Sequence, residues 1–225
     1  MARKRRVATT SKPKPRVDAP GRQRRSVAPQ RGRRPKPLPK APPPVELAGE
    51  LPLRIGHGWD LHRLEPLAPD GAGRPMVIGG VRIADGQLKS GPVARSDGDV
   101  LLHAATDAIL GALALPDIGE LFPDTDARHE GADSSQFLRE ALRRAKVAGY
   151  VVGNMDATVI CERPKIGPIK EQIRLNLARL LEVSPERVNV KGKTHERVDA
   201  VGDGRAIEAH AVVTLVLRER VGGQG

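Results

Sequence analysis

The apolar positions of this chain change period along its length, and each change marks an element. Residues 53–60 predict a strand that runs into Asp60 and His62. Residues 76–83, with Gly79-Gly80 in the middle, predict a hairpin or a bulged strand pair. After a Gly/Pro-containing loop to Arg95 the period becomes helical. Val100, Ala104, Ala108 and Ala112 keep a four-residue spacing, with Leu101, Ala105 and Ile109 beside them. Ser96 is placed as the N-cap of that helix, with Asp99 three residues on as an acidic capping box, and the helix is expected to end near Leu113. A second helix follows Asp133, with Gln136 at the box position and Phe137, Leu138, Ala141, Leu142 and Ala145 as its apolar face. Residues 150–161, rich in Val, Ile and Thr, read as a strand. Pro164-Lys165-Ile166-Gly167-Pro168 opens a third helix carried by Ile169, Ile173, Leu177 and Leu180/Leu181. Residues 187–191 and 207–217 read as strands, with polar turns at 193–196 and 202–204 between them. Strands with interposed helices predict an α+β domain, a mixed sheet with helices packed on one face. No internal repeat and no phosphate-loop or dinucleotide fingerprint is present.

Charge divides the chain into two parts. Residues 1–45 hold fifteen Lys or Arg and one acid, Asp18, so that residues 46–225 are left about three charges negative. The first part is a basic, Pro-rich tail with too few apolar residues to offset chain entropy, and we expect it to be disordered. It reads as a solvated extension, as a weak contact for nucleic acid or another anionic polymer, or as a transit peptide. Its few Ser and Thr and many Pro rank transit last, so the cytoplasm is expected before the plastid stroma. The remaining 180 residues suffice for one domain with a core. That core has to be aliphatic, because Phe, Trp and Tyr together make up only 2% of the chain. A single cysteine, Cys161, rules out an intrachain disulfide. No apolar run approaches a membrane span, so no membrane partner is expected.

Candidate chemistry starts at Asp60 and His62. In an extended segment, residues two apart share a face, and His103 supplies a third donor from a helix. One carboxylate and two imidazoles leave a fourth tetrahedral position open, the pattern of catalytic rather than structural zinc. An Asp-x-His pair near a strand end also occurs as an ordinary capped turn. Asp107, four residues after His103, shares its helical face and either orients the imidazole or is a solvated charge. Two His and one carboxylate also suit a nonhaem iron oxygenase. A metal-dependent phosphohydrolase fits the same three residues, and a trimeric scaffold with a nucleic-acid-binding tail is the non-enzymatic reading.

Five blocks together point to one family. They are Arg54-Ile55-Gly56-His57-Gly58-Trp59-Asp60-Leu61-His62, residues 96–111, residues 117–126, Pro164-Lys165-Ile166-Gly167-Pro168 and Val188-Asn189-Val190-Lys191. In order and spacing they resemble the 2-C-methyl-D-erythritol 2,4-cyclodiphosphate synthase family over about residues 53–218. The resemblance implies a homotrimer with sites at subunit interfaces. It implies conversion of 4-CDP-2-C-methyl-D-erythritol 2-phosphate to the cyclic diphosphate and CMP in the non-mevalonate isoprenoid pathway. By motif, Asp60, His62 and His103 are then the zinc ligands, and Glu196 helps hold a second divalent ion, Mg2+ or Mn2+. Asp117, Gly119, Phe122, Pro123, Asp124, Thr125 and Asp126 meet the methylerythritol moiety. Cys161, Pro164, Lys165 and Gly167, with Lys193, Thr194 and His195, receive the cytidine diphosphate end from the neighbouring subunit. Arg95 and Ser96 adjoin the reacting phosphates, with Arg95 and Thr194 in catalytic roles. The chain departs from the family at Arg95, where His is usual, and at Ala200-Val201-Gly202-Asp203, where many members have Phe-x-Gly-Arg.

Overall fold

The computed structural model describes residues 51–218 except Asp85 and Asp124. The basic tail lies outside the described residues. The first strand, β1 (Leu53–Pro66), runs past the expected end at Asp60, so Asp60 and His62 both sit within it. A hairpin of β2 (Val77–Ile78) and β3 (Val81–Arg82) follows, then β4 (Ser90–Pro92). Helix α1 (Val100–Ala112), the short α2 (Ile118–Leu121) and α3 (Ser135–Val147) lead to β5 (Tyr150–Ile160). Helix α4 (Lys170–Leu181), β6 (Val188–Lys193), the short α5 (Asp199–Gly202) and β7 (Ala206–Leu217) complete the domain. The main sheet has the order β4-β1-β7-β5-β6, with only β5 and β6 parallel. It is a mixed sheet, and the fold is α+β, as the element order predicts.

Helix α1 is the centre of the core. Ten of its thirteen residues are buried, on nearly every side. It lies on β1 and β7 and is covered by α3, while α4 packs on β6. Small residues on both elements make the approach possible. A Cβ placed on Gly58 would stand 1.9 Å from the Ala104 carbonyl oxygen, and one on Gly56 would stand 1.8 Å from that of Ala108. Opposite them α1 presents Ala104 and Ala108, both fully buried.

The start of α1 differs from the sequence expectation. Asp99, not Ser96, is the N-cap, and its Oδ1 accepts the amides of Leu101 (3.1 Å) and Leu102 (3.0 Å). The same carboxylate accepts the amides of Gly79 (2.9 Å) and Gly80 (2.5 Å) from the β2–β3 turn. Both glycines have positive φ, as a two-residue hairpin loop requires. Ser96 is displaced because the cap has to reach the hairpin amides as well as the helix, and the residue adjoining the helix does both. Burial raises the Asp99 pKa, against the pull of those amides. Asp133 accepts the Ser135 amide at 2.8 Å, one residue before the position that adjoins α3.

Among the described residues, the other face of the sheet is left exposed along β1. Leu53, Ile55, Trp59 and Leu61 of β1 and Val212 of β7 are exposed there, Ile55 by 65%.

Gly58→Ala is expected to cost about 1–3 kcal/mol as overpacking. Gly111→Ala should instead add roughly 0.5–1 kcal/mol through helix propensity. A Cβ at Gly111 meets only the His57 carbonyl oxygen, at 3.9 Å. Denaturant midpoints at unchanged slope decide both; equal midpoints for the two variants would refute close packing as the constraint.

Candidate active site

Because β1 alternates its side chains, Asp60 and His62 turn to the helix side of the sheet, while Trp59 and Leu61 turn away. The contact at Gly58 brings the first turn of α1 over them. His103 Nδ1 stands 2.9 Å from Asp60 Oδ2 and 3.1 Å from His62 Nε2, and His62 Nε2 is 3.3 Å from Asp60 Oδ2. Three ligands bound at zinc's usual 2.0–2.1 Å in a tetrahedron stand about 3.3 Å apart. The three donor atoms are spaced for one ion of that size. They are the one group of three or more such residues among those described with donor atoms this close.

The imidazole of His103 is held from behind. Ser134 Oγ donates to Asp97 Oδ1 at 2.5 Å, so toward His103 Nε2, 2.8 Å away, it acts as acceptor. Nε2 is therefore the donor to Ser134, and Nδ1 is the ring nitrogen turned to Asp60 and His62, with its lone pair free for an ion once the ring is neutral. Ser96 Oγ lies 3.2 Å from the same Nε2. Of the two roles the sequence leaves open for Asp107, orienting the imidazole or a solvated charge, the structure shows neither. Asp107 Oδ1 accepts the Ile118 amide at 2.8 Å and fixes α2 instead. Helical side chains lean toward the N-terminus, so the imidazole of His103 leans away from the residue one turn later. Ser134 escaped notice because it lies 31 residues away along the chain.

Burial works against the His103 imidazolium, but the hydrogen bond and charge of Asp60 more than offset it and raise the pKa. Burial likewise works against the Asp60 carboxylate, and His103 and His62 together still lower its pKa. Both shifts favour the carboxylate–imidazolium form of the pair when no metal is bound.

The triad opens into a cleft of about 280 Å³ whose lining includes Arg95, Ser96, Gly119, Phe122, His129 and Phe137. Arg95 Nε stands 3.5 Å from Glu130 Oε2. Arg74 holds the loop beneath it by donating to the carbonyls of Ala94 (2.8 Å) and Arg95 (3.1 Å). Phe122, His129 and Phe137 form an aromatic wall with ring centroids 4.7–5.7 Å apart. His129 was not singled out in the sequence. Asp117 caps α2 through the Glu120 amide at 2.9 Å, and Asp126 binds Arg128, so both carboxylates are already engaged. Pro123 and Thr125 lie in the turn between α2 and residues 127–129 and do not line the cleft; Asp124 lies outside the described residues.

A second cleft, of about 470 Å³, is lined by Cys161, Pro164, Lys165, Gly167, Lys193, Thr194 and Glu196, among others. Thr194 Oγ1 donates to Glu196 Oε1 at 3.2 Å. Glu196, Arg197 and Asp199 all have positive φ, a concentration of backbone strain beside this cleft. His195 faces elsewhere, with Nδ1 3.0 Å from Asp199 and Nε2 3.3 Å from Glu208. Burial pushes the Cys161 thiol up to about 12, so it supplies surface rather than a nucleophile. Asp203 pairs with Arg205 at 2.9 Å, so the nearest guanidinium to the altered turn is already engaged. One chain therefore keeps the triad and Glu196 in separate clefts.

An open carboxylate–imidazole triad set on an α+β sheet defines a metal-dependent enzyme class. The model of the YgbB family matches residues 53–216, and the chain belongs to that family. It is 57% identical over 166 residues to the chloroplastic 2-C-methyl-D-erythritol 2,4-cyclodiphosphate synthase of Oryza sativa subsp. japonica, covering 74% of this chain and 71% of that one. It is 51% identical to the synthase of Yersinia pestis (strain Pestoides F), covering 73% of this chain and 97% of the relative. Its fold is similar to that of the Plasmodium falciparum IspF CDP complex, with a TM-score of 0.63 and 35% identity over 74% of this chain and 97% of that chain.

Two outcomes are expected. Ser134→Ala should weaken divalent-metal affinity about 10–100-fold with the fold kept, whereas His103→Ala should abolish tight binding; competition with a chelator measures both. Metal uptake requires neutral His103, whose pKa is raised without metal. Uptake should therefore release a proton, and affinity should fall as pH falls through the His103 titration. Affinity independent of pH across that range would remove His103 from the ligand set.

Proposed function

We propose that this domain closes 4-CDP-2-C-methyl-D-erythritol 2-phosphate to 2-C-methyl-D-erythritol 2,4-cyclodiphosphate with loss of CMP, in the non-mevalonate isoprenoid pathway. The observation that carries the reading is the Asp60–His62–His103 triad with its open side on a cleft, in a chain of this family. An oxygen of the 2-phosphate forms a bond to the β-phosphorus. The bond from that phosphorus to the bridging oxygen breaks, and CMP leaves with the electron pair. The nucleophile belongs to the substrate, which accords with the inert thiol of Cys161.

The residues present suit zinc at Asp60, His62 and His103, and we assign Glu196 to a second ion, Mg2+ or Mn2+. When bound, such ions neutralise and polarise phosphate oxygens. The chain's own part is to position and to exclude water. Ser134 and Asp97 fix the His103 tautomer. Phe122 and Phe137 shield one side of the cleft. Arg95 presents a permanent cation with a planar fork of donors to a phosphate, the role of an imidazole in most of the family. Lys165 and Lys193 line the second cleft as counter-charges for a diphosphate.

The separation of the clefts within one chain supports a composite site, with the triad of one subunit facing Thr194 and Glu196 of the next. The bare apolar sheet face, from Ile55 to Val212, supports a homotrimer closed through that face. Among the described residues no helix is long and apolar enough to cross a membrane. The rice and Arabidopsis thaliana relatives are chloroplastic proteins by name. We place this chain in the cytoplasm, with the tail as a weak contact for anionic polymers; cleavage of the tail on plastid import would move it to the stroma.

Phosphorus NMR of the full chain with zinc, magnesium and the CDP substrate is the test. Cyclic diphosphate with CMP is expected; a ring-opened phosphate would make the protein a hydrolase. Arg95→Ala should lower turnover by about 10²–10³ at saturating metal, as for loss of a preorganised donor; unchanged turnover would make Arg95 a bystander. Mixed trimers of His103→Ala and Thr194→Ala chains should regain activity by forming some intact sites. No recovery, with mixing verified by mass, refutes the shared site.

A further inference from the structure

A further cavity among the described residues lies at the far end of α1 from the triad. It encloses about 480 Å³. From His103 to Leu113, which lines it, the helix axis advances about 15 Å. Arg54, Arg143 and Arg144 share this lining with Leu113, Val147 and Tyr150, and the lining holds no acid.

Arg54 is poorly satisfied, and Arg144 only partly paired. A guanidinium has five N–H donors. Arg54 spends one on the Ala112 carbonyl, at a long 3.4 Å, and its Nε is buried without a hydrogen-bond partner among the described residues. Among the described residues it also lies over the Tyr150 ring, 5.1 Å from Cζ to centroid. Arg143 and Arg144 divide one carboxylate, Glu140. Arg143 takes both of its oxygens, and Arg144 reaches only one, through Nε at 2.9 Å. The Nη donors of Arg144 meet no acceptor among the described residues. Three cations thus border one cavity against a single carboxylate, and of their donors the buried Nε of Arg54 is the one whose lack of a partner is costly.

The carbonyls at the C-terminal end of α1 explain why a cation stands at Arg54. They do not explain why two more converge on the same space, nor why the space stays open beside Leu113 and the 77%-exposed Val147. A bare inorganic ion would satisfy the charges and leave the apolar wall wet.

We propose that this cavity binds a small organic anion, a carboxylate or phosphate monoester on an apolar body. The head takes the unspent donors of Arg54 and Arg144, and the body lies against Leu113, Val147 and Tyr150. The volume suits such a ligand, within the roughly 300–1,000 Å³ of small-molecule sites. The site is separate from the reaction centre and does not rest on the function proposed above.

The test uses the full-length, metal-loaded protein with methyl-labelled Leu and Val, followed by NMR as phenyl phosphate or inorganic phosphate is added. The Leu113 and Val147 methyl signals report this cavity even where a phosphate also enters the triad cleft. Saturable shifts at both are expected with phenyl phosphate, at concentrations at least tenfold below those inorganic phosphate requires. Arg144→Gln should raise the half-saturation point roughly tenfold or more, as for a lost charge-assisted bond, with metal affinity at the triad unchanged. Arg54→Gln also loosens the end of α1, so Arg144→Gln and Val147→Glu carry the test; Val147→Glu should abolish binding by placing a carboxylate in the cavity. The proposal is overturned by the absence of saturable shifts at Leu113 and Val147, by equal affinity for inorganic phosphate, or by an Arg144→Gln variant that binds as the parent does.

Discussion

Backbone-to-backbone contact between α1 and β1 governs this molecule. Two glycines on the strand and two alanines on the helix remove the side chains that would hold the elements at ordinary separation. The interaction is mostly dispersion and burial, without direction, yet it fixes direction elsewhere. It puts the first turn of the helix over the inward side chains of the strand, and the metal donors meet there. The Asp99 carboxylate then sets where along the strand that turn begins, by tying the helix start to the β2–β3 hairpin. Packing sets the distance and one buried carboxylate sets the phase.

Much of this was legible in the sequence. The change from strand to helical period located β1, α1, α3, β5, α4 and β7, because each buries one face or a continuous stripe and its pattern is local. The Asp60/His62 pair was legible for the same reason, since alternation on a strand needs no partner to be read. The support of His103 was not legible. Ser134 and Asp97 come from segments whose meeting depends on how α3 closes over α1. The local rule that residues four apart share a face offered Asp107 as one of two readings, but it ignores the lean of helical side chains. The cap was misplaced at Ser96 because a capping pattern says nothing of a hairpin that also needs its amides satisfied. The division into two clefts came from the family resemblance and not from the pattern of residues, since motif order along the chain carries no information on which residues share a cavity.

Strand β1 spends both of its faces. From Gly56 to His62 the inward positions are two contact glycines, then Asp60 and His62. The outward ones are His57, Trp59 and Leu61, on the bare side of the sheet. A slip of one residue against β7 would exchange the two sets, turning the donors to the outer surface and Trp59 against the helix. Pairing errors in this strand are therefore punished twice, by a steric clash within and by charge on an apolar surface without. Few neutral substitutions are open to a segment so loaded. A lineage that drifts elsewhere should keep these seven positions as a block, because no one of them can change without disturbing what the opposite face is for.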